Sequence, residues 1–245
     1  MIDLTIPAVG TVRDGTSKDI DYTSEKTIFS GNWSGFNDSA SGIADYHYAI
    51  GTTSGGTDIK NWTSNGIDSI FTSTGHSLTH AQTYYVSLTA IDRAGLVSDS
   101  VITNGMTADH QGPKAGTVID GLNTDDSFSI SDSIYASWSG FSDTLSGIKA
   151  YEYSVGSTPG GNNLGGWTNN GSKKSIALKR NLEDNLTYYL SVRAIYNVGN
   201  VSDISISSGI TTDFTPPRIT SNNIELNTAL TCLLYTSDAA DDNPC

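Results

Sequence analysis

The sequence predicts an all-β chain of two tandem seven-stranded Greek-key sandwiches, with the start of a third behind them. The stretch LTHAQTYYVSLTAIDRAGLVS, Leu78 to Ser98, returns as LEDNLTYYLSVRAIYNVGNVS, Leu182 to Ser202, at an offset of 104 (182 − 78). In both copies apolar residues alternate after a Tyr-Tyr pair begins: Tyr84, Val86, Leu88, Ala90, then Tyr188, Leu190, Val192, Ala194. A period of two with its apolar members on one phase describes a strand with one buried face. No segment sustains a 3.6-residue period, so helices are expected to be absent or trivial.

Taken in order, the first unit carries apolar runs near Val9–Val12, Thr27–Trp33 and Ile43–Ile50, then a weak one near Asn61–Thr63. Runs near Ile67–Thr72, Tyr84–Ile91 and Val97–Thr107 complete seven short strands, separated by Gly, Asn, Asp and Ser. That spacing belongs to a sandwich. The second unit repeats it: NWSGFNDSASGIADYHYAIGTT from Asn32 matches SWSGFSDTLSGIKAYEYSVGST from Ser137 at an offset of 105 (137 − 32). Trp33 pairs with Trp138, Asp38 with Asp143, and Trp62 with Trp167. The units end alike, in SDSVITNGMTAD and SDISISSGITTD, and FTPPRITSNNIEL opens like another. Expected boundaries are 1–109 and 110–214 for the two repeats and 215–245 for the start of a third running into an irregular tail.

Lys and Arg number 13 against 26 Asp and Glu, a net charge of −13. Such a surface repels phosphate backbones and anionic lipid, so nucleic acid and membrane insertion are not expected. No apolar run is long enough to span a bilayer. The opening MIDLTIPAVG has neither the basic nor the apolar part of a secretory signal. Two readings compete, a cytoplasmic protein and an internal piece of a longer secreted one; the repeat ends favour the second, in which Met1 is an internal methionine. Both cysteines, Cys232 and Cys245, lie in the tail, so they do not settle the redox compartment.

The Leu, the Tyr six positions on, the alternating strand and the closing Gly resemble the E–F corner and F strand of fibronectin type III domains. The resemblance implies a tyrosine corner at Leu78/Tyr84 and Leu182/Tyr188, and core positions for Trp33 and Trp138. More narrowly, WSGFxDxxSGIxxYxYxxG and TYYxSxxAI resemble the tandem fibronectin-like or Ig-like repeats of large bacterial surface and secreted proteins. The tail departs from the pattern: LLYTSDAADD resembles translated sequencing-adapter sequence, the alternative being a genuine but irregular third unit, and no chemistry is drawn from it.

A site that belongs to the repeated unit should appear twice. The four histidines fail that test: His47 faces Glu152, His76 falls near Lys179, His80 faces Asp184 and His110 faces Phe214. All four read as surface or loop residues. No GxSxG, HExxH, phosphate-binding Gly loop or CxxC is present, so the sequence points away from an enzyme. Carboxylates are the better lead. Asp14, Asp19 and Asp21 cluster in the A–B loop, while Asp120, Asp125 and Asp126 cluster in its second copy. Asp38 and Asp143 lie in the B–C loops at the opposite end, roughly 25 Å away along strand B.

One sandwich cannot bring both groups to one ion, but a junction between sandwiches can. Asp14, Asp19, Asp21, the link residue Asp109 and Asp143 are the candidate ligands for a structural Ca²⁺ there, since hard cations want several carboxylate oxygens. The competing reading makes them Asx-turn residues that support tight loops. Trp62 and Trp167, beside polar turns, either close the sheet edge over the core or stack on sugar rings. The expected role is a non-catalytic extracellular spacer or adhesive array in a larger bacterial surface or secreted protein. The alternative is an accessory glycan-binding region of a secreted polysaccharide-degrading enzyme. Partners are other domains of the same longer chain, and extracellular glycan or protein.

Overall fold

A computed structural model describes residues 2–121 and 124–218 of the 245-residue chain. Contacts divide the chain into a unit ending at Asp213 and a remainder beginning at Phe214. Of the expected third repeat, 214–218 carry no strand, and the rest of it, with the adapter-like tail, lies outside the described residues. Among the described residues every regular element is a strand.

The first sandwich contains β1 (Thr11–Asp14), β2 (Tyr22–Thr23), β3 (Phe29–Ser34), β4 (Ile43–Gly51), β5 (Lys60–Ser64), β6 (Ile70–Ser73), β7 (Thr83–Asp92), β8 (Val101–Ile102) and β9 (Met106–Ala108). One sheet has the order β1-β3-β6, and the other runs β2-β9-β7-β4-β5 with β8 also on β7. The second sandwich repeats this with β10 (Thr117–Asp120), β11 (Phe128–Ser129), β12 (Ser133–Ser139), β13 (Ile148–Gly156), β14 (Thr168–Gly171), β15 (Ser175–Lys179), β16 (Thr187–Tyr196), β17 (Ser205–Ile206) and β18 (Ile210–Thr212). Its sheets run β10-β12-β15 and β11-β18-β16-β13-β14, with β17 on β16. Three strands against four, once split strands are joined, is the fibronectin type III-like arrangement, written twice.

The seven expected strands become nine segments because the outer two each divide. The first strand crosses between sheets, so that β2 pairs in parallel with β9. The last breaks at Gly105, whose φ is 97° and whose missing Cβ would stand 2.7 Å from the Tyr85 ring. Only glycine fits both conditions. Gly209 does the same against Tyr189 in the second copy, with φ 98°.

Two separate cores form, with no residue in common. In the first, the alternation on β7 buries Tyr84, Val86, Leu88 and Ala90 against Trp33, Tyr48 and Phe71. The second buries Tyr188, Leu190, Val192 and Ala194 against Trp138, Tyr151 and Tyr153. Both tyrosine corners are present: the Thr79 N–H donates to the Tyr84 hydroxyl and the Glu183 N–H to the Tyr188 hydroxyl, each at 2.7 Å.

Candidate functional site

Of the A–B loop aspartates, Asp14 faces inward, while Asp19 and Asp21 are exposed. Asp14, at the end of β1, is 1% exposed, and its own N–H donates to Asp19 Oδ1 at 3.0 Å. Burial pushes its carboxyl up to about 7, helped by the negative charges of Asp19 and Asp21 and opposed by the Thr103 hydroxyl and the Gly105 N–H. Asp120 occupies the same place in the second sandwich, is also raised by burial, and accepts the Gly209 N–H at 2.8 Å. Its N–H donates to Asp125 at 3.0 Å, as Asp14 does to Asp19. Asp21 Oδ1 accepts from Asn104 Nδ2 at 3.3 Å. These carboxylates therefore brace the crossing of the first strand against the turn between β8 and β9, and in the second sandwich against the turn between β17 and β18.

Asp109 and Asp143 lie elsewhere, in a cavity of about 250 Å³ lined also by His80, Gln111 and Thr144. Asp109 is 1% exposed and joins the two sandwiches. Its N–H donates to the Thr23 carbonyl at 2.7 Å, and its Oδ2 accepts the Ser146 N–H at 3.2 Å. The Tyr196 hydroxyl donates to its carbonyl at 3.4 Å. Nearby, the Ser24 hydroxyl donates to the Val198 carbonyl at 3.2 Å. The five candidate ligands are thus distributed: Asp14 with Asp19, Asp109 with Asp143, and Asp21 beside a second cavity of about 400 Å³ facing Ser146, Asn197 and Val198.

Two histidines read as bland loop residues also serve this junction. The His110 N–H donates to His80 Nδ1 at 3.2 Å, and His110 Nε2 donates to the Glu25 carbonyl at 2.8 Å. Asp109 Oδ1 has no hydrogen-bond partner and stands 3.6 Å from His80 Nδ1.

A different acidic group converges at the far end of the first sandwich. Asp3, Asp38 and Asp92 each place a carboxylate oxygen so that all three lie within 4.8 Å of one another. Asp3 precedes β1, Asp38 sits between β3 and β4, and Asp92 ends β7. In every case Oδ1 is occupied by the chain itself. Asp3 Oδ1 accepts the Thr5 N–H at 3.0 Å, which leads the effects that lower its pKa. Asp38 Oδ1 takes the N–H groups of Ala40, Ser41 and Gly42, and its pKa too is lowered, first by the Ser41 amide. Asp92 Oδ1 takes the N–H groups of Ala94 and Leu96, both at 2.8 Å. Asp92 is 2% exposed, and its Oδ2, like that of Asp3, has no hydrogen-bond partner.

In the repeat these three positions correspond to Asp109, Asp143 and Tyr196. The sequence signal was an Asp four residues before a Pro at the head of each unit: Asp3 and Pro7, Asp109 and Pro113, Asp213 and Pro217.

Neither Trp62 nor Trp167 belongs to a core. They do not close the sheet edge over it, because both lie on the outer face. Trp167 is covered by the Arg193 guanidinium, 4.3 Å from its ring centroid, while Glu152 holds that arginine at 2.7 Å. In the first sandwich Thr89 and His47 stand where Arg193 and Glu152 would, and Trp62 is left 40% exposed.

No protein-family model and no curated protein matches the sequence. Solved structures similar to it include the FN1-FN3 domains of chicken CNTN1, 17% identical over 85% of this chain and 68% of that one, TM-score 0.42. The fibronectin(III)-like modules of Clostridium thermocellum CbhA are 12% identical over 87% of this chain and 100% of that one, TM-score 0.44. A multidomain piece of titin is 16% identical over 84% and 68%, TM-score 0.47. The class of the fold rests on the chain's own strand order, its paired tyrosine corners and its buried indoles.

Proposed function

We propose that this chain is a non-catalytic structural module: tandem sandwiches that hold a fixed separation between other parts of a larger bacterial surface or secreted protein. The observation that carries the reading is Asp109, a buried link residue bonded to both sandwiches. A link residue hydrogen-bonded to the sandwich on either side loses the freedom that Gly- and Ser-rich connections keep. Spin labels at exposed Lys18 and Lys173, in a background without Cys232 and Cys245, test this by dipolar spectroscopy. One narrow interlabel distance is expected, broadened by Asp109→Ala. A broad distribution in the unaltered pair would remove the basis for a rigid spacer.

The glycan-binding alternative is favoured by one observation, the exposed Trp62 that lacks the arginine covering its counterpart. An uncovered indole on an outer sheet face can stack on an apolar sugar face. Titration with soluble cell-wall polysaccharide should then shift indole fluorescence, and Trp62→Ala should abolish the shift while Trp167→Ala leaves it. No change on titration would discard this reading.

A further inference from the structure

We infer that Asp3, Asp38 and Asp92 bind one calcium ion at the end of the first sandwich. Three carboxylate oxygens within 4.8 Å of one another match the span of oxygens around one Ca²⁺, whose bonds are about 2.3–2.6 Å long. The independent observation is Asp92. It is 2% exposed, and its Oδ2 is sealed from solvent with no donor aimed at it. A buried carboxylate oxygen normally has a partner. Asp3 is half-buried, and its Oδ2 atom is likewise covered and without a hydrogen-bond partner. Among the described residues no Lys, Arg or His forms an ion pair with any of the three. Arg93, next in the chain to Asp92, instead donates to the Ser41 carbonyl at 3.2 Å.

The division of labour within each carboxylate supports the same conclusion. Amide groups hold every Oδ1, which fixes the side chains in place, and the Oδ2 of Asp3 and of Asp92 is left without a hydrogen-bond partner. A cation there would fasten the segment before β1 to the loops that follow β3 and β7. The repeat supplies an internal comparison. At the equivalent place Asp109 and Asp143 remain, but Tyr196 replaces the third carboxylate, and its hydroxyl is engaged by Asp109 and Asn200. Two carboxylates and a phenol are a poor donor set for a hard cation, so among the described residues the site occurs in the first sandwich and not in the second. This inference is independent of the spacer reading.

The test uses the full chain, stripped of metal by chelator and titrated calorimetrically with CaCl₂ at constant ionic strength. One ion per chain is expected, with a dissociation constant of about 10⁻⁵–10⁻³ M, together with a rise in melting temperature that Na⁺ does not reproduce. Asp92→Asn keeps the Oδ1 acceptor that the Ala94 and Leu96 amides need, so it should fold. It and Asp38→Asn should each weaken binding at least tenfold, whereas Asp143→Asn should leave both stoichiometry and affinity unchanged. Absence of saturable binding up to about 10 mM Ca²⁺, well above the range of such sites, would overturn the site. So would unchanged affinity in Asp92→Asn. Equal affinity for Mg²⁺ would overturn the assignment to calcium.

Discussion

Trp33→Ala should cost the first sandwich about 3–5 kcal/mol, the loss typical of removing a large aromatic side chain from a packed core. Trp33 is 3% exposed, with its ring edge-on to Tyr46 at 5.3 Å and tilted against Phe71 at 6.2 Å. Deletion leaves a void bounded by two rigid rings and by backbone held in two sheets, so little can collapse into it. A sandwich of this size holds roughly 5–15 kcal/mol in total, and each kcal/mol moves its midpoint by about 4–8 °C. The transition of the first sandwich should therefore fall by more than about 12 °C. Because the cores share no residue, calorimetry should then resolve two transitions, with the upper one unmoved. Trp138→Ala should reverse which of them falls. The indole N–H of each tryptophan is buried without an acceptor, so Trp33→Phe, which keeps a ring and drops that donor, should lose much less. If either alanine variant moved the whole chain in a single transition, the two cores would have to be treated as one cooperative body.

What could be read beforehand follows the reach of each interaction along the chain. The alternation on β7 and β16 is a local pattern, so the buried phase was legible from Tyr84 to Ala90 and from Tyr188 to Ala194. The Leu–Tyr spacing of the corner is local as well. Gly105 was a harder case: a lone glycine inside an apolar run marks a break, yet only Tyr85 packed against it explains why the strand divides there. The acidic sites needed three-dimensional knowledge. Asp14, Asp19 and Asp21 looked like a ligand set because they crowd together in sequence, but the crossing of the first strand turns Asp14 inward onto the Thr103–Gly105 turn. Asp3, Asp38 and Asp92 come from three separate loops and carry no shared motif. The recurring Asp before Pro at each unit's head singles out the first of them and the repeated B–C loop the second, but neither signal reaches Asp92. Trp62 was obscured for a similar reason, since its exposure depends on Thr89 standing where the second sandwich has Arg193.

The second large effect concerns pH and follows from Asp14. Its unfolded carboxyl titrates near 3.8, while burial raises the folded one to about 7. Below the lower value both states hold the proton. Between the two values only the folded state does, so each unit of rising pH costs up to about 1.4 kcal/mol of stability. Above about 7 both states are ionised and the loss levels off. Asp120 is raised by the same cause, so the second sandwich should follow in the same direction. Asp3, Asp38 and Asp58 have lowered values, and what they contribute disappears only in more acidic solution, outside this window. The chain should consequently melt higher at pH 5 than at pH 8. A net charge of −13 relaxes over the same range and could produce a rise by itself. Asp14→Asn separates the two causes. It should stabilise the first sandwich at pH 8 by about 1–3 kcal/mol, the scale of relieving a poorly satisfied buried group, and flatten its dependence between pH 5 and 8. Asp99→Asn, which removes the same unit of charge from an exposed position, should do neither. Equal behaviour of the two variants would assign the effect to overall charge and leave the buried carboxylate without a role in it.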